Sequence, residues 1–155
     1  MGSWEQGTYN VTNKEKYMGD KPPFYRSSWE YRMCHYLDSN VNVLRWHSEN
    51  VIIPYTWVDN KTHKYYTDFY VEIRNRDGNK ETLVLEIKPK DQVPHHPDFK
   101  IPKPPRKKTV KSMKNYQNRL LTLKKNELKW EAAEIFCKKK GWKFSILTED
   151  DLYIN

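Results

Sequence analysis

A mixed α/β fold, one sheet of mixed strand direction flanked by helices, is what this sequence predicts. Three observations lead there. The chain has 155 residues, the length of one ordinary domain. Its apolar pattern switches between helical and strand spacing in the order α-β-β-β-β-α-α-β-α, which suits a mixed sheet with covering helices. Leu, Ile, Val and Phe make up only about a fifth of the residues, but 6 Trp, 11 Tyr and 5 Phe supply large rings for a small aromatic core.

Residues 1–22 are polar and without periodicity and read as an irregular N-terminal arm, closed by Pro22-Pro23. Residues 23–155 then form a single domain. Ser27 is placed to cap a helix with Glu30 three residues on. Trp29, Met33, Tyr36 and Leu37 share one face of that helix to about Ser39, and Asn40-Val41-Asn42 breaks it. Strand-like runs follow at Val43–Trp46, Val51–Trp57, Lys64–Arg74 and Thr82–Lys88, with Pro54 marking an edge or a bulge. Six prolines between Pro89 and Pro105 allow only an extended loop. Thr109–Lys125 and Asn126–Lys140 read as two helices, the second stopped by Gly141. Trp142–Leu147 alternates as a last strand, and Thr148-Glu149-Asp150-Asp151 caps a short final helix.

Charge is unevenly placed. Residues 1–87 carry 11 Lys/Arg against 12 acids, whereas residues 88–143 carry 17 against 5. A near-neutral half followed by a strongly basic one points to a polyanion such as nucleic acid. The competing reading is a solvated, Lys-rich helical surface. No apolar run approaches the ~18 residues a membrane span needs, and no signal peptide opens the chain. Cys34 and Cys137 are far apart and form no CxxC pair, which excludes a disulfide scaffold or zinc finger and fits a reducing cytosol. His95-His96 likewise lack partners at zinc spacing.

The chemistry concentrates in one hairpin. Tyr65 to Ile73 sets Asp68 among ring-bearing strand residues, although Asp is a poor strand former. Glu86 and Lys88 fall on one face of the next strand, with Leu83, Leu85 and Ile87 on the other. A three-residue Arg76-Asp77-Gly78 turn with Gly78 left-handed pairs Asn75 with Asn79 and carries Asp68 opposite Glu86, Cβ atoms about 5 Å apart. A two-residue Asp77-Gly78 turn would send the two acids to opposite faces. Carboxylates held that closely need a cation between them, and Mg²⁺ with its preference for oxygen suits the task. Mn²⁺ is the other candidate. The backbone carbonyl of Ile87 offers a third oxygen. Lys88 can orient a water or neutralise a phosphorane-like transition state, and Glu30 can complete the site through a water. The bland alternatives are a capping role for Glu30, solvation of Glu86 and Lys88, and a plain Asp68–Lys88 pair.

At these residues the sequence resembles the PD-(D/E)xK nuclease superfamily. Tyr25 to Glu30, Trp46 to Glu49, Ile53-Pro54-Tyr55, Tyr66 to Phe69 and Leu85 to Lys90 are similar to the TnsA-type endonuclease domain. Lys129 to Ala133, Gly141 to Phe144 and Ile146 to Asp150 extend the likeness to the head completion nucleases of T-even-like tailed bacteriophages. The likeness covers about residues 17–152. It implies a restriction-endonuclease-like core with helices on both faces of the sheet, and Glu30, Asp68, Glu86 and Lys88 as the active site, with Asp68 and Glu86 on the metal. It also implies hydrolysis of double-stranded DNA in the host cytoplasm during virion assembly, with head, portal or neck proteins as partners and retention in the head–neck region as one outcome. Thr67 stands where the superfamily's name expects Pro. The TnsA branch often has Gln where Glu86 stands. Arg26, Lys90, Arg106, Lys107, Lys108 and Lys111 are the candidates for phosphate contacts. Two other readings remain: a structural head or neck protein with a vestigial nuclease fold, and a transposon end-cleaving subunit. No dimer surface is marked in the sequence.

Overall fold

The computed structural model describes residues 5–152, which omits the first four residues of the N-terminal arm and the last three of the domain. Its elements run β1 (Gly7–Thr8), β2 (Phe24–Tyr25), α1 (Ser28–Ser39), β3 (Val43–Ser48), β4 (Ile52–Thr56), β5 (Thr62–Tyr66), β6 (Phe69–Arg74), β7 (Lys80–Ile87), α2 (Val110–Lys140), β8 (Lys143–Leu147) and α3 (Glu149–Leu152). The central sheet has the order β3-β6-β7-β8, antiparallel except for the parallel β7/β8 pair. That parallel pair needs a crossover, and the long α2 supplies it.

The mixed sheet expected from the sequence is present, and alternation along β7 separates two cores. Leu85 and Ile87 pack with Trp29, Met33 and Leu37 of α1 and with Trp46 and Phe69. Val84, one residue off, packs with Trp130, Ala133 and Cys137 of α2 and with Ile53, Tyr55 and Tyr65. Trp46 is fully buried at the centre of the first core, its ring 4.6 Å from that of Tyr17.

Two elements differ from the sequence expectation. Lys64–Arg74 is not one strand: the chain leaves the β4–β5 ribbon at Tyr66 and joins the central sheet at Phe69. Hydrogen bonds from residues distant in sequence impose the break. The Thr67 amide and hydroxyl both donate to the Val51 carbonyl, at 3.2 and 2.8 Å, and the Glu49 amide donates to the Asp68 carbonyl at 3.0 Å. The two helices after the Pro-rich loop are a single helix of 31 residues. Nothing around Asn126 breaks a helix, since Gly and Pro are absent from Val110 to Lys140. Asn126, Trp130, Ala133 and Cys137 instead form one buried stripe through the boundary. Thr109 caps the helix start in a reciprocal pair with Ser112, and Gly141 ends it at φ 75°.

The lead-in is irregular for most of its length but firmly fastened. Thr8 pairs with Phe24, and Tyr17 bridges to Trp46. Asp38, buried in α1, accepts the Tyr9 hydroxyl and the amides of Thr12 and Asn13 at 2.8–2.9 Å. In the Pro-rich loop, one 3-10 turn at Lys90–Gln92 and the buried Val93 hold an otherwise irregular path. Among the described residues no helix is long and apolar enough to cross a membrane.

Candidate active site

The register of the β6–β7 hairpin decides where the acids stand. Asn75 and Asn79 close the turn with an amide-to-carbonyl bond of 2.8 Å, and Gly78 takes φ 81°, the left-handed conformation that glycine adopts freely. The Asn75 side chain adds support by accepting the amides of Asp77 and Asn79. The loop is thus the three-residue one, and the ladder runs from Arg74↔Lys80 to Phe69↔Leu85. One further step brings Asp68 across from Glu86.

Asp68 sits at the break between two sheets, not within a strand, so its poor strand propensity is no burden. Its Oδ2 accepts the amide of Ile87 at 2.7 Å. Burial first, and then the charge of Glu86, push the Asp68 carboxyl well above the usual carboxylate range, against the pull of the Ile87 amide and Lys88. Glu86 is buried; its Oε1 lies 3.6 Å from Lys88 Nζ, while its Oε2 is buried with no hydrogen-bond partner. An orphaned carboxylate oxygen beside a second crowded carboxylate is a place short of positive charge.

Glu30 reaches the same place from α1. Ser27 accepts the Glu30 amide at 3.1 Å, so the expected helix cap is real. The side chain nevertheless has a second situation: burial raises its pKa first, the charge of Asp68 raises it further, and Arg26 and Ser27 pull it down. Glu30, Asp68, Glu86 and Lys88 therefore gather at one end of the sheet, drawn from α1, the β5–β6 junction and the end of β7.

The donor set fits a hard divalent ion. Mg²⁺ is commonly held by one or two carboxylates, with water and substrate phosphate completing its shell. Among the described residues no three His, Cys, Asp or Glu side chains gather closely enough to hold an ion alone. Asp68 and Glu86 would supply the carboxylates, and the Ile87 carbonyl at the end of β7 a further oxygen.

The candidate phosphate contacts fall into separate groups. Arg26 is ion-paired with Glu49 and lies over the Phe24 ring at 5.6 Å. Lys90 has its ammonium between Asp98 at 2.9 Å and Asp150 at 3.5 Å, so internal acids already neutralise it. Arg106, Lys107, Lys108 and Lys111 are exposed around the start of α2. At 1.5 Å per residue, Lys111 lies about 27 Å along the helix from Lys129, far from the carboxylates.

Lys129 is the residue that sequence reasoning missed as part of the site. Its ammonium lies 5.4 Å from the centre of the Tyr65 ring. Burial lowers its pKa, and the charges acting on it are those of Glu86, Lys88, Lys125 and Asp68. The available signal was its position, one residue before buried Trp130 and so at the margin of the packed stripe.

The family described as TnsA-like endonuclease, N-terminal, matches residues 40–149, a span that takes in Asp68, Glu86, Lys88 and Lys129. Over 148 residues the chain is 34% identical to the head completion nuclease of Enterobacteria phage T4, covering 94% of this chain and 92% of that relative.

Proposed function

The chain belongs to the TnsA-like endonuclease family, and on that premise we propose that it is a metal-dependent deoxyribonuclease acting on double-stranded DNA. The observation that carries the reading is the pair Asp68 and Glu86, two buried carboxylates so close that each disfavours the other's charge. A protein with no use for a cation there would be more stable with one carboxylate fewer.

Asp68 and Glu86, with the Ile87 carbonyl, would hold Mg²⁺ or Mn²⁺. When bound, such an ion supplies Lewis acidity toward the phosphate and makes a water a better nucleophile. Lys88, on the same face as Glu86, directs its ammonium to the charge that develops on the phosphate oxygens and orients the attacking water. Glu30 acts at one remove, its carboxylate accepting a hydrogen bond from a water in the site. The Ile87 amide fixes Asp68 so that the carboxylate does not swing away when it ionises.

The relative's name places a nuclease in phage head completion, and for this chain we propose that the reaction is trimming of packaged DNA ends before heads join tails. Head, portal or neck proteins are the partners in that setting. The place is the host cytoplasm during assembly, with retention in the finished head–neck region as a further consequence.

Filled heads assembled without the protein provide the test. Added wild-type chain should shorten protruding DNA and restore tail joining, and Lys88→Ala should do neither. Equal tail joining with the Lys88→Ala protein would show that the fold, not the cleavage, does the work, as in a vestigial connector protein.

A further inference from the structure

Lys129 stands out among the lysines for what does not neutralise it. Lys80 closes on Glu72 at 2.8 Å, Lys143 on Glu81 at 3.0 Å and Lys90 on Asp98 at 2.9 Å. Lys129 is half-buried, yet among the described residues no acid comes within ion-pairing distance of it, and its close neighbour is the Tyr65 ring. A cation removed from water without an anion beside it is costly, and a ring face offsets only part of that cost. The neighbouring stripe of Asn126, Trp130, Ala133 and Cys137 fixes the helix at this point, and with it the backbone from which Lys129 extends. Tyr65 in turn is almost fully buried, and its hydroxyl lies beside Glu86 and in the field of Asp68.

Lys88 is partly occupied, since it leans on Glu86 at 3.6 Å. A phosphate brought to Asp68 and Glu86 therefore meets a second cation on the α2 side that has no internal partner. We propose that Lys129 is a second lysine of the active site, contacting a non-bridging oxygen of the phosphate that is cut. The proposal rests on the nuclease reading. It differs from a packing role in one respect: a phosphate contact displaces a counterion from DNA, and packing against Tyr65 does not.

The test uses the full chain as wild type, Lys129→Met, Lys129→Gln and Lys129→Arg, each checked for cooperative unfolding with a midpoint no lower than that of the wild type. Binding of a short duplex is followed by fluorescence anisotropy in Ca²⁺ over a range of salt, and single-turnover cleavage is followed in Mg²⁺. A lysine that no longer neutralises its phosphate should lower the slope of log affinity against log salt by about 0.9. The Met and Gln variants should show that lowered slope and cut at least tenfold more slowly, and Arg should recover the wild-type slope. A folded Met or Gln variant with the wild-type slope overturns the proposal, whether or not its cutting is slowed. If the wild type binds but never cuts, the nuclease reading fails, and the slopes still decide whether Lys129 touches phosphate. If the wild type does not bind duplex DNA, both fall.

Discussion

The amide of Ile87 donates to the Asp68 carboxylate at 2.7 Å, tying the break between two sheets to the end of β7. Asp68 is thereby held beside Glu86 on one side of Ile87 and Lys88 on the other. The bond explains how a carboxylate that burial and a neighbouring acid both disfavour keeps a fixed position.

Asp68→Asn should stabilise the metal-free protein at neutral pH. The Asp68 pKa is raised in the folded state, so between the unfolded value of ~4 and the folded value the native chain binds the extra proton. Its contribution to stability is then full at low pH, falls as pH rises through the folded pKa and stays lost above it. Asn can accept the Ile87 amide without the charge. Removing a like-charge pair across strands is worth up to about 1 kcal/mol, or about 3 °C in a chain of this size. Thermal melts of both proteins should diverge as pH rises from ~4 and then run parallel. Added Mg²⁺ should raise the wild-type midpoint and leave that of the variant unmoved.

Lys88→Ala should separate binding from chemistry. In the proposed site the metal oxygens would come from Asp68, Glu86 and Ile87, so titration calorimetry should still detect a divalent ion. Loss of one group that stabilises developing charge costs about 10²- to 10³-fold in rate, which single-turnover cleavage would register.

The pH sign is opposite at Asp38. Burial pushes its pKa up, but the amides of Thr12 and Asn13, the Tyr9 hydroxyl and Lys16 outweigh that and hold it low. Its stabilisation is full above the unfolded value of ~4 and is lost as pH falls through the depressed one. Asp38→Ala strands those donors, at a cost of about 3 kcal/mol. The lead-in should then come loose, visible as rapid proteolysis within residues 5–22 and as a smaller loss of stability on acidification than in the wild type.

Replacing Lys107, Lys108 and Lys111 together with Ala should weaken DNA binding without slowing the cut. Lys111 lies about 27 Å along α2 from Lys129, by the 1.5 Å rise per residue, and Lys107 and Lys108 precede the helix. Their removal should reduce the salt slope by about 0.9 for each phosphate left without its lysine, while single-turnover rates at saturating DNA stay at the wild-type level.

The residues that build the candidate site are legible because they are local. Gly78 in a three-residue turn fixes the hairpin register, and the register brings Asp68 to Glu86; alternation then sets Lys88 with Glu86 and sends Leu85 and Ile87 to the α1 core. What the sequence hides depends on interactions across long stretches of chain. The break at Thr67-Asp68 is made by Val51 and Glu49. Lys90 reads as free to meet phosphate, but one acid that holds it, Asp150, is 60 residues away. Asn126 reads as a helix boundary by residue type and is instead buried within one continuous helix. Lys129 reads like any surface lysine, and only the packing of α2 over Tyr65 brings it to the carboxylates.

Cleavage of supercoiled plasmid is the decisive measurement, with Mg²⁺ or EDTA, by the wild type and the Asp68→Asn and Lys88→Ala proteins. Nicking and linearisation that need the ion and disappear in both variants are the predicted result. A folded wild type that binds the plasmid and leaves it intact in both Mg²⁺ and Mn²⁺, or variants that cut as well as the wild type, would contradict a nuclease site built on Asp68, Glu86 and Lys88.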